Sequence, residues 1–152
     1  MSNLVDTFNS RFRVVSADNR ELTSIAQQIR YQVYCIENPY EEAQFFPDGK
    51  ECDEYDYRST HAMIQCRKTG LYSGVVRLVL PDPAESALPL PIEKHCADSL
   101  AEAGYTESSF PRESIAEISR FSVSKEYKLR CARSTDFIKA VGNDSEGATL
   151  QK

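Results

Sequence analysis

Apolar residues recur at spacings of three and four from Asn19 to Ile36, at Leu22, Ile25, Ala26, Ile29, Val33 and Ile36. Residues so spaced share one face of a helix. The pattern therefore predicts an amphipathic helix with Asp18 or Asn19 as its N-cap and Asn38-Pro39 as its end. Ahead of it, Phe12 to Val15 is a short β-prone run whose polar member is Arg13. Further on, Thr60 to Cys66 reads as a strand, Lys68-Thr69-Gly70 as a hairpin turn and Gly74 to Leu80 as the partner strand. Pro81, Pro83, Pro89 and Pro91 break up the next connection. A short helix over Ile92 to Ala97 and a strand over Ile115 to Val123 follow, with another helix starting after Lys125. The order β-α-loop-β-β-(α)-β predicts an α+β fold, an antiparallel sheet with helices packed on it.

The stretch between the first helix and Tyr57 is irregular, acidic and aromatic. From Glu37 to Asp56 it holds eight carboxylates against the single Lys50, with Tyr40, Phe45, Phe46 and Tyr55 among them. Long loops in small domains are uncommon and often functional. A solvated acidic surface would not normally carry so many rings.

Composition narrows the class. The 152 residues, 41% hydrophobic and 27% charged, suit a single globular domain spanning 1–152. No apolar run approaches the roughly 18 residues of a membrane span, and Met1-Ser2-Asn3-Leu4 does not open a secretory leader. A cytoplasmic protein is expected. The net charge of −5 argues against bulk nucleic-acid binding. Five cysteines (35, 52, 66, 96 and 131) form no C-x-x-C pair, so reduced thiols are expected, several of them small core residues. His61 and His95 lack the spacing of zinc ligands, and no metal is implied.

Several charges interrupt apolar runs. Arg30 lies beside the helix stripe, with Tyr34 one turn on. Asp53 and Asp56 flank Tyr55, Arg77 breaks Val75-Val76-Arg77-Leu78-Val79, and Glu117 and Arg120 sit within 116–123. A buried charge loses several kcal/mol of solvation unless paired. Three arginines and three carboxylates are able to pair in one cleft. The alternative is that alternation turns Arg77 to solvent. Glu117 and Arg120, three apart, fall on opposite faces unless a bulge intervenes.

The blocks Arg30-Tyr31-Gln32-Val33-Tyr34, Asp53-Glu54-Tyr55-Asp56, Gly74-Val75-Val76-Arg77-Leu78 and Glu117-Ile118-Ser119-Arg120-Phe121 together resemble, in order and approximate spacing, the autoinducer (acyl-homoserine-lactone) synthase family. Phe46-Pro47-Asp48-Gly49 and Leu90-Pro91-Ile92-Glu93-Lys94-His95-Cys96 are similar to segments of the acyltransferases associated with exosortase and PEP-CTERM systems, and of N-acyl amino acid synthases. The resemblance implies a GNAT-like α+β fold, mainly antiparallel, with flanking helices. It implies transfer of a fatty acyl group from an acyl-carrier-protein thioester, or acyl-CoA, to the amine of an amino acid or S-adenosylmethionine, with no bound cofactor. Carried over by motif, Glu117 is the base or base-orienting residue, and Arg77 and Arg120 hold the catalytic network. Arg30, Tyr34, Tyr40, Asp53 and Asp56 shape the acceptor pocket. Lys125, Lys128, Arg130 and Arg133 face an acidic carrier protein. The alternative is a non-catalytic module of the same fold that binds acyl chains or a protein.

Three departures shift these expectations. The chain has no Trp, and Tyr40 stands where the lactone synthases commonly have one, which favours an amino acid acceptor. Residues 128 to 133 are basic but lack the glycines of a GNAT pyrophosphate loop, which favours a carrier-protein thioester over coenzyme A. The chain ends about thirty residues after Arg120, whereas the family fold continues with elements that complete the acyl tunnel. An N-terminal portion of a longer fold, with an exposed apolar face and a tendency to self-associate, is expected.

Overall fold

Among the described residues, four antiparallel strands lie side by side in chain order: β1 (Phe12–Ser16), β2 (Ser59–Cys66), β3 (Tyr72–Val79) and β4 (Glu117–Val123). The computed structural model describes residues 3–82, 84–85, 88–106, 109–126 and 129. The β2–β3 hairpin turns where expected, with Gly70 at φ +72°, a conformation that glycine adopts without steric cost. Gly74 serves a different need. A Cβ there would meet Ser122 O at 3.0 Å, so its absence lets β4 approach closely.

One sheet face is covered by α2 (Arg20–Tyr31). Asn19 caps it, its Oδ1 accepting from Leu22 N–H at 3.0 Å, as the sequence pattern requires. Ala26 and Ile29 pack on Met63 and Val75, joined by Leu22 and Ile25. A second cluster joins Tyr55, Val79 and Leu90, with Ile115 against it. The opposite face carries Val14, Ile64, Leu78 and Ile118, and Val14, Ile118 and Phe121 are exposed. Among the described residues, no helix is long and apolar enough to cross a membrane.

The helix continues past Tyr31 as expected, but Gln32–Glu37 is π-helical. Its wider turn, closed by Asn38 N–H to Val33 O at 3.0 Å, rotates Ile36 off the apolar stripe and leaves it exposed. The single helix expected over Ile92 to Ala97 is two, α3 (Pro91–His95) and α4 (Ala97–Glu102), because Cys96 leaves the helical region at φ −127°. A helix not read from the sequence, α1 (Leu4–Arg11), precedes β1 and carries no buried residue, so it has little apolar periodicity to read. Cys35 and Cys66 are buried, Cys52 and Cys96 are exposed, and Cys131 lies outside the described residues.

Candidate active site

Arg30 sits in the last turn of α2 on the face that packs against the sheet, so its guanidinium is carried into the interior and is 0% exposed. Such a group needs anionic partners on every side. The acidic loop supplies them. Arg30 Nε donates to Glu51, which is 1% exposed, and both terminal nitrogens reach Asp56, Nη1 to Oδ1 at 2.6 Å and Nη2 to Oδ2 at 2.9 Å. His61, from β2, brings Nε2 within 3.0 Å of Arg30 Nη1 and 3.2 Å of Asp56 Oδ1.

Arg77 is also buried, and faces α2 rather than solvent. Its Nη1 donates to Asp53 Oδ1 at 2.6 Å and its Nε to Ser119 Oγ at 3.0 Å, across the β3–β4 register that pairs Arg77 with Ser119. Arg120 Nε donates to Glu51 Oε1 at 3.1 Å, and Nη2 lies 3.3 Å from Asp53 Oδ2. Arg30, Arg77 and Arg120 therefore balance Glu51, Asp53 and Asp56. Arg120 also lies 5.5 Å from the Tyr34 ring centroid, and Tyr34 OH donates to Phe121 O at 3.3 Å. Tyr40, exposed, tilts against Tyr34 with centroids 6.3 Å apart and forms an aromatic rim.

A bulge makes this convergence possible. Val75 pairs with Ser122 and Arg77 with Ser119, so two β4 residues, Arg120 and Phe121, oppose Val76. Arg120 takes φ +50°, a left-handed conformation that costs a non-glycine residue roughly 1–2 kcal/mol.

The charge pattern fixes protonation. Burial disfavours the Asp56 carboxylate, but hydrogen bonds from Arg30 and His61 outweigh it and hold the carboxyl well below the usual range. Asp53 is lowered in the same way, against burial, chiefly by Arg77. Burial opposes the charge on Arg30, yet Asp56 and Glu51 raise its proton affinity above the ordinary value. Burial also raises the Tyr34 phenol, although Arg120 acts against it. The two aspartates are thus permanent anions near neutrality, suited to orienting a polar ligand and not to exchanging protons with it.

The carboxylate that completes the network is Glu51, where the sequence reading has Glu117. Glu117 lies on the same face as Ser119, two residues away or roughly 7 Å along the strand. It joins none of the cluster's ion pairs. Its Oε2 accepts from Ile92 N–H at 2.8 Å at the start of α3, and its Oε1 has no hydrogen bond among the described residues. Beside it lies a cavity of about 440 Å³ lined by Leu90, Ile92, Leu100, Phe110, Ile115 and Ile118.

Glu51, His61 and Ser119 were not singled out from the sequence. The alternation Glu51-Cys52-Asp53, in which Cys52 is exposed, is the one local signal for Glu51. Lys125 is exposed, with Nζ 3.2 Å from Asn38 Oδ1, and Lys128, Arg130 and Arg133 lie outside the described residues. A family model described as an acetyltransferase (GNAT) domain matches residues 29–135, which includes every residue of this cluster. No curated protein and no solved structure matches the chain.

Proposed function

The chain belongs to the acetyltransferase (GNAT) family and is an acyltransferase, and from that premise we propose that it moves a fatty acyl group from a carrier-protein thioester to the amine of a small acceptor, an amino acid or S-adenosylmethionine. The observation that carries this reading is the convergence of Arg30, Glu51, Asp53, Asp56, Arg77 and Arg120 beside the bulge of β4.

In the proposed reaction the acceptor nitrogen attacks the thioester carbonyl, the carbon–sulfur bond breaks and the sulfur leaves as a thiolate, which becomes the thiol by taking up the proton the amine has given to the base. Asp53, Arg120 and the Tyr34–Tyr40 rim orient the polar acceptor. The proton lost by the amine goes to Glu117, directly or through a water, since its Oε1 is uncommitted among the described residues. Backbone N–H at the Arg120–Phe121 bulge stabilises the oxyanion, a role suited to strand amides released from ladder pairing. The apolar cavity beside Glu117 supports an acyl chain longer than acetyl.

The test is incubation with acyl-carrier-protein and acyl-CoA thioesters of graded length, each with a panel of amino acids and S-adenosylmethionine, read by mass spectrometry. N-acylated product with the carrier-protein donor is expected. Failure to acylate any amine with any donor would leave a binding module in place of an enzyme.

A further inference from the structure

Tyr55 lies between Asp53 and Asp56 in the chain, yet its ring packs on Val79 and Leu90 and joins none of the arginine cluster. The residue is 7% exposed, and its hydroxyl oxygen is buried with no hydrogen-bond partner among the described residues. A buried hydroxyl left unpaired destabilises a fold, and a phenylalanine would supply the same ring without that loss. The packing accounts for the ring alone.

Tyr55 also lines a cavity of about 350 Å³ that shares no residue with the one beside Glu117. Tyr57, Leu88 and Pro89 give it apolar walls. Arg58, half-buried, places its guanidinium 5.3 Å from the Tyr55 ring centroid. Its Nη1 donates to Leu80 O at 2.8 Å and its Nη2 to Pro89 O at 2.6 Å, which leaves N–H groups uncommitted. Among the described residues no carboxylate forms a salt bridge with it. Glu54 is taken by Lys94 Nζ at 2.6 Å, and Asp82 by Tyr57 OH at 3.2 Å and Ala84 N–H at 2.8 Å. The exposed Lys94–Glu54 pair sits at the rim, close enough to act on the phenol, and a surface pair of this kind parts readily.

We propose that this cavity binds a small carboxylic acid with an aromatic or branched apolar body, its carboxylate held by the Tyr55 hydroxyl and Arg58 and its body against Tyr57, Leu88 and Pro89. A guanidinium with N–H groups to spare and an unpaired hydroxyl match a carboxylate, and the apolar walls match the rest. Burial pushes the phenol up, so near neutrality it keeps its proton and donates it. The volume lies near the lower end for ligand pockets, which suits a compact acid better than a long acyl chain or a nucleotide. The inference stands apart from the proposed reaction, because these residues take no part in it.

The experiment titrates the full chain by calorimetry, with no acyl donor present, using 3-phenylpropionate and 4-methylpentanoate beside their neutral amides. At least one acid should saturate and bind about tenfold or more tighter than its amide. Tyr55→Phe should weaken that acid by about tenfold or more, and Arg58→Gln should erase its lead over the amide. Ile118→Trp, which fills the cavity beside Glu117, should bind the acid as wild type does. Tyr55→Phe should also unfold at the same or a higher urea concentration than wild type, since it deletes only an unpaired hydroxyl. No saturation by about 10 mM for either acid, equal affinity for acid and amide, or undiminished binding by Tyr55→Phe would overturn the proposal. So would loss of binding in Ile118→Trp, which would place the acid in the other cavity, or a lower urea midpoint for Tyr55→Phe. Tyr55→Phe decides the matter should Arg58→Gln lose its fold. Amine acylation is scored separately, so failure of the proposed reaction leaves this result standing.

Discussion

Ser119 and Arg120 are neighbours in the chain, yet both side chains enter the same buried cluster. Ser119 Oγ accepts from Arg77 Nε, and Arg120 Nε donates to Glu51 Oε1. On a regular strand adjacent residues face opposite sides. The left-handed backbone of Arg120 and the bulge it forms turn both to one face.

That conformation can be tested apart from the charge. Arg120→Gly and Arg120→Ala both delete the guanidinium, and only glycine is at ease at φ +50°. The glycine variant should be the more stable of the two by about 1 kcal/mol in urea unfolding. Alanine unfolding at equal or higher urea would mean that the backbone there is unstrained.

Glu51 joins two arginines from distant elements, Arg30 of α2 and Arg120 of β4. Glu51→Ala leaves Arg30 buried with one of its two anionic partners gone and should cost about 3–5 kcal/mol, with Glu51→Gln costing less. Urea denaturation measures both. A loss below about 1 kcal/mol for the alanine variant would be incompatible with an ionised pair at this depth.

Acid should weaken the fold in a defined window. Asp56 and Asp53 have folded-state proton affinities below the ordinary value of 3.8. Their contribution is therefore fully present above that value and is lost as pH falls from it toward the lower folded values. Urea midpoints should be nearly level from neutral pH to about pH 5 and then drop, and Asp56→Asn should flatten the drop. A wild-type midpoint that holds to about pH 3 would contradict the shifts.

Glu117→Gln keeps the hydrogen bond to Ile92 N–H within reach but cannot take a proton. Turnover should fall on the order of a hundredfold, with thermal stability little changed. Unaltered kcat in steady-state acylation would remove Glu117 from the mechanism.

Ile118 is exposed and lines the cavity beside Glu117, so Ile118→Trp fills that space without touching the charge cluster. Excluding two or more methylenes of a long acyl chain should lower kcat/KM for long donors by about tenfold or more. Acetyl transfer should change far less. Equal losses for both lengths would place the chain elsewhere.

Periodicity made much of the fold legible. The three-four spacing over 19–36 marked α2 and its Asn19 cap, and alternation with Lys68-Thr69-Gly70 between marked the β2–β3 hairpin. Arg30, Asp53, Asp56 and Arg77 stood out because each interrupts or flanks apolar residues. The π-helical turn did not, since the same spacing serves an α-helix until the chain widens and Ile36 leaves the stripe.

What the sequence by itself determined is which elements form and which charges demand partners. Local spacing reports the face a residue takes, and a charge beside a buried stripe must be neutralised wherever the chain runs next. Who the partners are was decided only by the tertiary structure. Glu51 meets Arg30 across 21 residues and Arg120 across 69, and His61 meets Arg30 across 31. Contacts of that separation depend on how the acidic loop folds over the sheet and on one bulge in β4. No repeat along the chain encodes either, because both follow from packing and charge balance in three dimensions.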